Sequence, residues 1–362
     1  MAQLTPTNLL LGFSKVSEKF QQPEFRMPNT AALSTAYLGE KLMNPMSSLR
    51  TREDRATWYD FMISKADESK TERLYNHSGA SMDSLRRQIT WGSVVDTFSI
   101  SEKQCDNNSM EFSDVFAKGV LNSIQKNMVK FDNAFLALLK ADVTQINSGG
   151  LGDRGTFNTT DNIMELEQAQ KDYWATMIEA NFNANDYNDQ IIVLGDQLAF
   201  IDMVKAANQG VANSTNLAYQ FGNVSLVKTN KAVYSGYDGS AIAFPADLVG
   251  LFTWIPKQNR KPLDENAAMK DYNGSKGQIS VPIYDAKGGV AFTLDAAISA
   301  YTLRADTSSL NGNKQDLLTQ VEISWDYAYL AAPLSTARAT GAFAGKTDSV
   351  VYSYGLKVGG AS

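Results

Sequence analysis

The sequence predicts an α+β protein whose parts are drawn out along surfaces rather than gathered round a pocket. Three observations predict it. An apolar stripe at helical spacing runs without a proline through residues 109–147. From about residue 217 onward, β-branched and aromatic runs alternate with turn residues. Residues 1–60 hold Pro6, Pro23, Pro28 and Pro45 between short apolar fragments, which suits an arm lying on another surface.

After the arm, residues 61–82 are polar, and the run from Lys65 to Lys70 reads as a solvated loop. Residues 86–101 read as extended. Val94, Phe98 and Ile100 alternate with polar or small residues, and Gly92 marks a turn or bulge, so a long hairpin with one apolar face is expected. Asn108 and Glu111 stand at capping-box spacing before the long helix. Its stripe is Phe112, Phe116, Val120, Ile124, Met128, Phe131, Phe135 and Leu139. At 1.5 Å per residue the helix would reach roughly 50–60 Å, and a stripe of that length needs an equally long partner surface.

A second helix is expected from the Asn162/Glu165 cap spacing, with Leu166, Ala169, Tyr173, Met177 and Ala180 on its apolar face. Residues 181–189, rich in Asn and Asp, form a loop. The wholly apolar Ile191–Leu194 is a buried strand, which Gly195 and Asp196 turn into a third helix carrying Leu198, Ile201, Met203 and Val204 and stopped by Gly210. Later strands are expected at Val224–Lys228, Ala241–Phe244, Leu248–Ile255, Gln278–Tyr284, Val290–Leu294, Ala300–Arg304, Leu317–Leu330 and Val350–Tyr354. In the longest, Val321, Ile323, Trp325, Tyr327 and Tyr329 share one face.

Composition narrows the function classes. The 362 residues are 43% hydrophobic and 20% charged, with a net charge of −6. That mild acidity argues against a dedicated nucleic-acid clamp. Residues 1–90 carry 12 Lys/Arg against 10 Asp/Glu, a balance of +2, so the basic end is the less regular end. One cysteine, Cys105, allows no intrachain disulfide, and one histidine, His77, leaves no Cys/His metal cluster. No apolar run is long enough to span a bilayer, and the absence of a positive residue before Lys15 reads as no secretory leader.

The candidate sites are few. Gly150–Gly155 has the G-x-G-x-x-G spelling of a phosphate loop, and with Phe157 that of a kinase glycine loop. A dinucleotide site would need a strand before it and a helix straight after; a kinase would need His-Arg-Asp and Asp-Phe-Gly downstream, and neither triplet occurs. The glycines therefore read as a hinge. Cys105, next to the long helix, lacks a histidine partner near it in sequence, and Asp186 and Asp189 lack EF-hand spacing. Arg86 and Arg87 near Trp91 suit a subunit contact or solvent better than nucleic acid. No catalytic, cofactor-binding or metal residue is assigned, and the chain reads as no enzyme.

The order of elements resembles the major capsid protein of tailed bacteriophages, the shell fold shared with herpesvirus capsid floors and encapsulins. Gln190–Gly210 is similar to that family's strand-then-helix ending in glycine, and Phe221–Val227 to the strand that follows. The resemblance implies a phage major-capsid fold: an N-terminal arm (1–60), an extended β-hairpin loop (61–104), a spine helix with the first part of a peripheral domain (105–208), an axial domain (209–299), return strands of the peripheral domain (300–335) and a C-terminal segment (336–362). It implies pentamers and hexamers of identical subunits forming an icosahedral virion shell round double-stranded DNA, assembled in the host cytoplasm. Portal, scaffolding and decoration proteins would be further partners, DNA would be contacted without sequence preference, and no membrane or cofactor is implied. Some members crosslink a lysine of the extended loop; nothing singles out Lys65 or Lys70 for that. The alternatives are an encapsulin-like cage, or a nucleotide-binding enzyme using Gly150–Gly155.

Overall fold

A computed structural model describes residues 11–12, 14–16, 30–36, 52–63, 83–101, 111–143, 155–158, 160–183, 190–208, 218–221, 223–246, 248–260, 275–284, 290–306, 315–332 and 350–358. A short helix, α1 (Ala31–Ala36), and two strands, β1 (Trp58–Ile63) and β2 (Asp83–Gln88), precede the strand β3 (Trp91–Ser101). The stripe then forms one helix, α2 (Phe112–Asp142), of 31 residues, about 47 Å long.

The partner surface that α2 requires is a five-stranded antiparallel sheet organised round β13 (Gln315–Ala331). β3 runs along one edge of β13, from Ser101 opposite Leu318 to Trp91 opposite Ala328. The other edge is shared in sequence. β12 (Val290–Asp306) pairs with residues 315–324, and β10 (Val249–Trp254) takes over from Asp326. β11 (Ser275–Tyr284) pairs with the first part of β12.

The residues of β13 that share one face by their spacing turn out to meet α2. Phe131 stands edge-on to Trp325 with centroids 5.8 Å apart and lies 5.2 Å from Tyr327; Phe135 is 6.2 Å from Tyr329. Phe131, Phe135, Val321 and Ile323 are fully buried. Truncating an aromatic in such a seam costs about 3–5 kcal/mol. Asn127 Nδ2 donates to the Ile323 carbonyl and Ser123 Oγ to Asp96, so the polar residues on this helix face are used as well.

A mixed seven-stranded sheet holds the rest. Its order is β4 (Gly155–Asn158), β5 (Ile163–Leu166), β14 (Tyr352–Lys357), β9 (Tyr237–Pro245), β6 (Ile191–Gly195), β8 (Val224–Lys228) and β7 (Ala218–Phe221). Helices α3 (Trp174–Asn183) and α4 (Gln197–Asn208) cover one face, packing on Ile191 and Val193. Ile192 and Leu194 point the other way into the core round α2. Burial on both faces explains the uninterrupted apolar run of β6. Asp196 caps α4: its Oδ1 accepts from Leu198 N–H (3.0 Å) and Ala199 N–H (2.8 Å), its Oδ2 from Ser240 N–H.

Three expectations are corrected. Residues 86–101 are no hairpin: β2 pairs with β1, and β3 pairs with β13. Gly92 is a regular strand position opposite Tyr327, where a Cβ would come within 2.5 Å of the tyrosine ring; it is there to admit that ring. The helix expected from Asn162 starts instead at Trp174. Asn162 has φ 56°, reversing the chain from β4 into β5, and a 3-10 turn (Gln168–Tyr173) intervenes. Parallel pairing of β5 with β14 outweighs the local capping signal. Val290–Leu294 and Ala300–Arg304 are one strand, β12, of 17 residues.

Candidate assembly surface

β1 and β2 form a two-stranded antiparallel ribbon, Trp58 opposite Gln88 through to Ile63 opposite Asp83. Among the described residues no other strand pairs with either. An isolated pair of strands is marginal in water, so the ribbon depends on its base and on whatever meets its edges.

The base is built with care. Ala56 and Ile89 are buried against Phe252, Ala328 and Leu330, with Tyr59 and Trp91 packed beside them. Ile89 N–H donates to the Thr57 carbonyl (2.9 Å), and Trp91 Nε1 to the Ala56 carbonyl (2.7 Å). Arg87 reaches the main body. It donates to the Ala331 carbonyl (2.6 Å) and to Asp142 Oδ1 (3.1 Å), while Tyr329 donates to Asp142 Oδ2 (3.0 Å). Burial, helped by the Asp142 carboxylate, holds the Tyr329 phenol well above its ordinary value, so it is a permanent donor. One carboxylate at the end of α2 thus ties β2 to β13.

The segment leading into β1 is strapped down beside β10. Arg260 and Trp254 Nε1 both donate to the Arg52 carbonyl, and Arg55 and Arg260 stand 5.8 and 5.6 Å from the Trp254 ring. Glu53 pairs with Lys257, and Arg55 with Asp326 at 3.4 Å.

Trp58 is 52% exposed. Arg86 lies directly opposite Asp60 and forks onto both its oxygens (2.8 and 3.2 Å), and this hydrogen bonding holds the Asp60 carboxyl below its ordinary range.

The residues singled out in the sequence are dispersed. Arg86 and Arg87 are ion-paired within the chain, and Trp91 is hydrogen-bonded at the ribbon base. Gly155 opens strand β4 and pairs with Leu166; the next α-helix begins only at Trp174. A strand after the glycines does not present a helix N-terminus to a phosphate. Gly150, Lys65, Lys70, His77, Cys105, Asp186 and Asp189 lie outside the described residues. Among the described residues no group of three or more His, Cys, Asp or Glu is gathered as metal ligands, and no helix is long and apolar enough to cross a membrane. Sequence reasoning placed Tyr329 on the apolar face of the longest strand but joined neither it nor Asp142 to Arg87. Asp142 lies 55 positions from Arg87 and Tyr329 a further 187 from Asp142, and no local signal links them.

No family model matches the chain, and no curated protein does. Among solved structures it is similar to the capsid asymmetric unit of cyanophage Pam1, at 11% identity over 85% of this chain and 87% of that one, with a TM-score of 0.47. It is similar to the capsid of Ralstonia phage GP4 at 10% identity over 85% and 86%, TM-score 0.46. A chain from Mycobacterium phage Che8 shares 10% identity over 88% and 90%, TM-score 0.44. Likeness at this level carries no function across.

Proposed function

We propose that this chain is the shell-forming major capsid protein of a tailed bacteriophage, assembling as pentamers and hexamers into an icosahedral shell round double-stranded DNA. The observation that carries the reading is the β1–β2 ribbon, clamped at its base and, among the described residues, paired with no further strand along either edge. A feature so placed gains stability when a sister subunit covers it. The long α2 seam supplies a stiff body from which the ribbon extends. The rest of the reading follows the resemblance drawn from the order of elements. The order of elements put residues 105–208 with the peripheral part and 209–299 in the axial part; because β6 shares a sheet with β8 and β9, and β10, β11 and β12 share one with β13, we reassign α2 and the five-stranded sheet to the peripheral part and the seven-stranded sheet with α3 and α4 to the axial part. Each contact between subunits is weak, and closure of the shell makes the whole strong. The chain is read as performing no reaction, with portal and scaffolding proteins as further partners and the virion as its location.

Electron microscopy of the purified, concentrated protein tests this: closed shells or capsomer rings are expected. A stable monomer under every condition of salt, pH and crowding refutes it. The basic first ninety residues are read as facing inward. Reversing lysines and arginines among residues 15–55 is expected to change DNA packaging or assembly more than folding; unaltered packaging and assembly would remove that placement.

A further inference from the structure

The short helix α1 stands where the two sheets meet. Ala32 and Leu33 are wholly buried in the core round α2. That core takes Ile192, Leu194 and Val227 from the seven-stranded sheet and Val249, Leu251 and Val281 from the five-stranded one. Among the described elements, α1 alone packs its backbone closely on strands of both sheets: β8 on one side, β10 and β11 on the other.

The sheets also share a pivot. β9 is joined to β10 through residues 246–248. Ala246 N–H donates to the Gln190 carbonyl, just before β6, and the Leu248 carbonyl accepts from Ala332 N–H, just after β13. The bonding of one sheet thus ends at Ala246, and that of the other begins at Leu248. The helix α2 lies closely on β3 and β13. Two of its polar ties to the other half are lysine side chains: Lys231 on Asp132 (2.6 Å) and Lys140 on the Val233 carbonyl (2.7 Å). Flexible four-carbon stems of this kind follow a small rotation without breaking.

The helix α1 is seated by its surroundings. Six residues do not hold a helix in water by themselves. In Ala-Ala-Leu-Ser-Thr-Ala, Leu33 is the one large apolar side chain. The Thr35 hydroxyl donates to the Ala32 carbonyl (2.6 Å), so it is satisfied inside the helix. The Leu33 main chain lies against the Asp132 carboxylate. This is a small insert with a single knob, set off the pivot and touching both walls.

We infer that α1 is a wedge that sets the angle between the two sheets, and that its withdrawal lets the seven-stranded sheet swing about residues 246–248. The inference concerns a single subunit and stands apart from the shell reading. On that reading, the wedge gives one sequence an adjustable angle for five-fold and six-fold positions.

Distances between spin labels test it, on the full chain carrying Cys105→Ser and diluted among unlabelled copies. One pair, Lys205→Cys with Thr97→Cys, spans the two sheets. A second, Thr97→Cys with Thr293→Cys, lies within the five-stranded sheet. All three positions are exposed. Leu33→Asp removes the knob. It is expected to speed amide exchange across residues 31–36 about tenfold or more, to broaden or split the spanning distance, and to leave the within-sheet distance narrow. Leu33→Met keeps the knob and is expected to give wild-type distances. A spanning distance that stays single and narrow while α1 exchanges fast overturns the inference, because the angle is then set elsewhere. Loss of the within-sheet distance overturns it too, since α1 is then core and no wedge. Unchanged exchange at 31–36 does the same, because Leu33 then does not seat the helix. Micrographs of the wild-type chain judge the shell reading separately.

Discussion

Asp132 and Lys231 show how a buried charge is tolerated in the α2 seam. The Asp132 carboxylate is fully buried, with Lys231 Nζ 2.6 Å away. Burial pushes its pKa up, and Lys231 and the Leu33 backbone pull against that. Lys231→Met strands the carboxylate and is expected to cost about 3–5 kcal/mol in urea unfolding. The double change Asp132→Leu with Lys231→Met is expected to be neutral or stabilising by about 1–4 kcal/mol; a double change as harmful as the single one would contradict this account. Glu165 is a contrasting case. Burial alone would raise its pKa, but hydrogen bonds from Asn158 and Tyr237 and the nearby Lys357 outweigh burial and lower it. A depressed carboxyl pKa stabilises the fold above the ordinary value of 4.5, and that contribution is lost as pH falls through the folded value. Glu165→Gln should therefore lower the melting temperature at neutral pH and converge on wild type in acid; a gap that persists undiminished in acid would be inconsistent. Neither arrangement was legible in the sequence: Lys231 is 99 positions from Asp132, and of the groups on Glu165 only Asn158, seven positions away, is near it in the chain, Tyr237 being 72 away.

At the scale of elements, periodicity was a good guide wherever one element met one surface. The α2 stripe and the alternating face of β13 were both readable, but that each is the other's partner within one chain was not. The readings that failed concern elements whose state is decided by a distant strand. Asn162 and Glu165 have helix-cap spacing, yet β14, almost two hundred residues on, captures Ile163–Leu166 as a strand. Gly92 looked like a turn because the ring of Tyr327, which fills its missing side chain, lies across the sheet. Gly119 is similar within α2. Glycine in a helix interior costs about 1 kcal/mol relative to alanine, but a Cβ here would come within 2.4 Å of the Phe98 ring. Phe98 is itself packed on Phe116, 6.2 Å away. Gly119→Ala is expected to lower the melting temperature despite better helix propensity, and Phe98→Leu to relieve part of the loss. A stabilised Gly119→Ala variant would show that the ring moves freely.

For the whole molecule, the ribbon's attachment is where, on the proposed shell reading, folding and assembly meet. Arg87 fixes the ribbon to the end of α2 and to β13, with only a minor share of the core's burial. Arg87→Ala is expected to leave the core folded, with a melting temperature close to wild type, while assembled particles become fewer and more irregular in micrographs. Uniform shells at normal yield would show that the ribbon's direction is set elsewhere. The sharing of β13 has its own consequence. β12 lets go at Ser324 and β10 begins at Asp326, while β3 runs unbroken along the opposite flank from Leu318 to Ala328. The alignment of β10 with β12 therefore rests chiefly on β13, the rail that both follow, and a change that displaces β13 near Trp325 moves the two of them together.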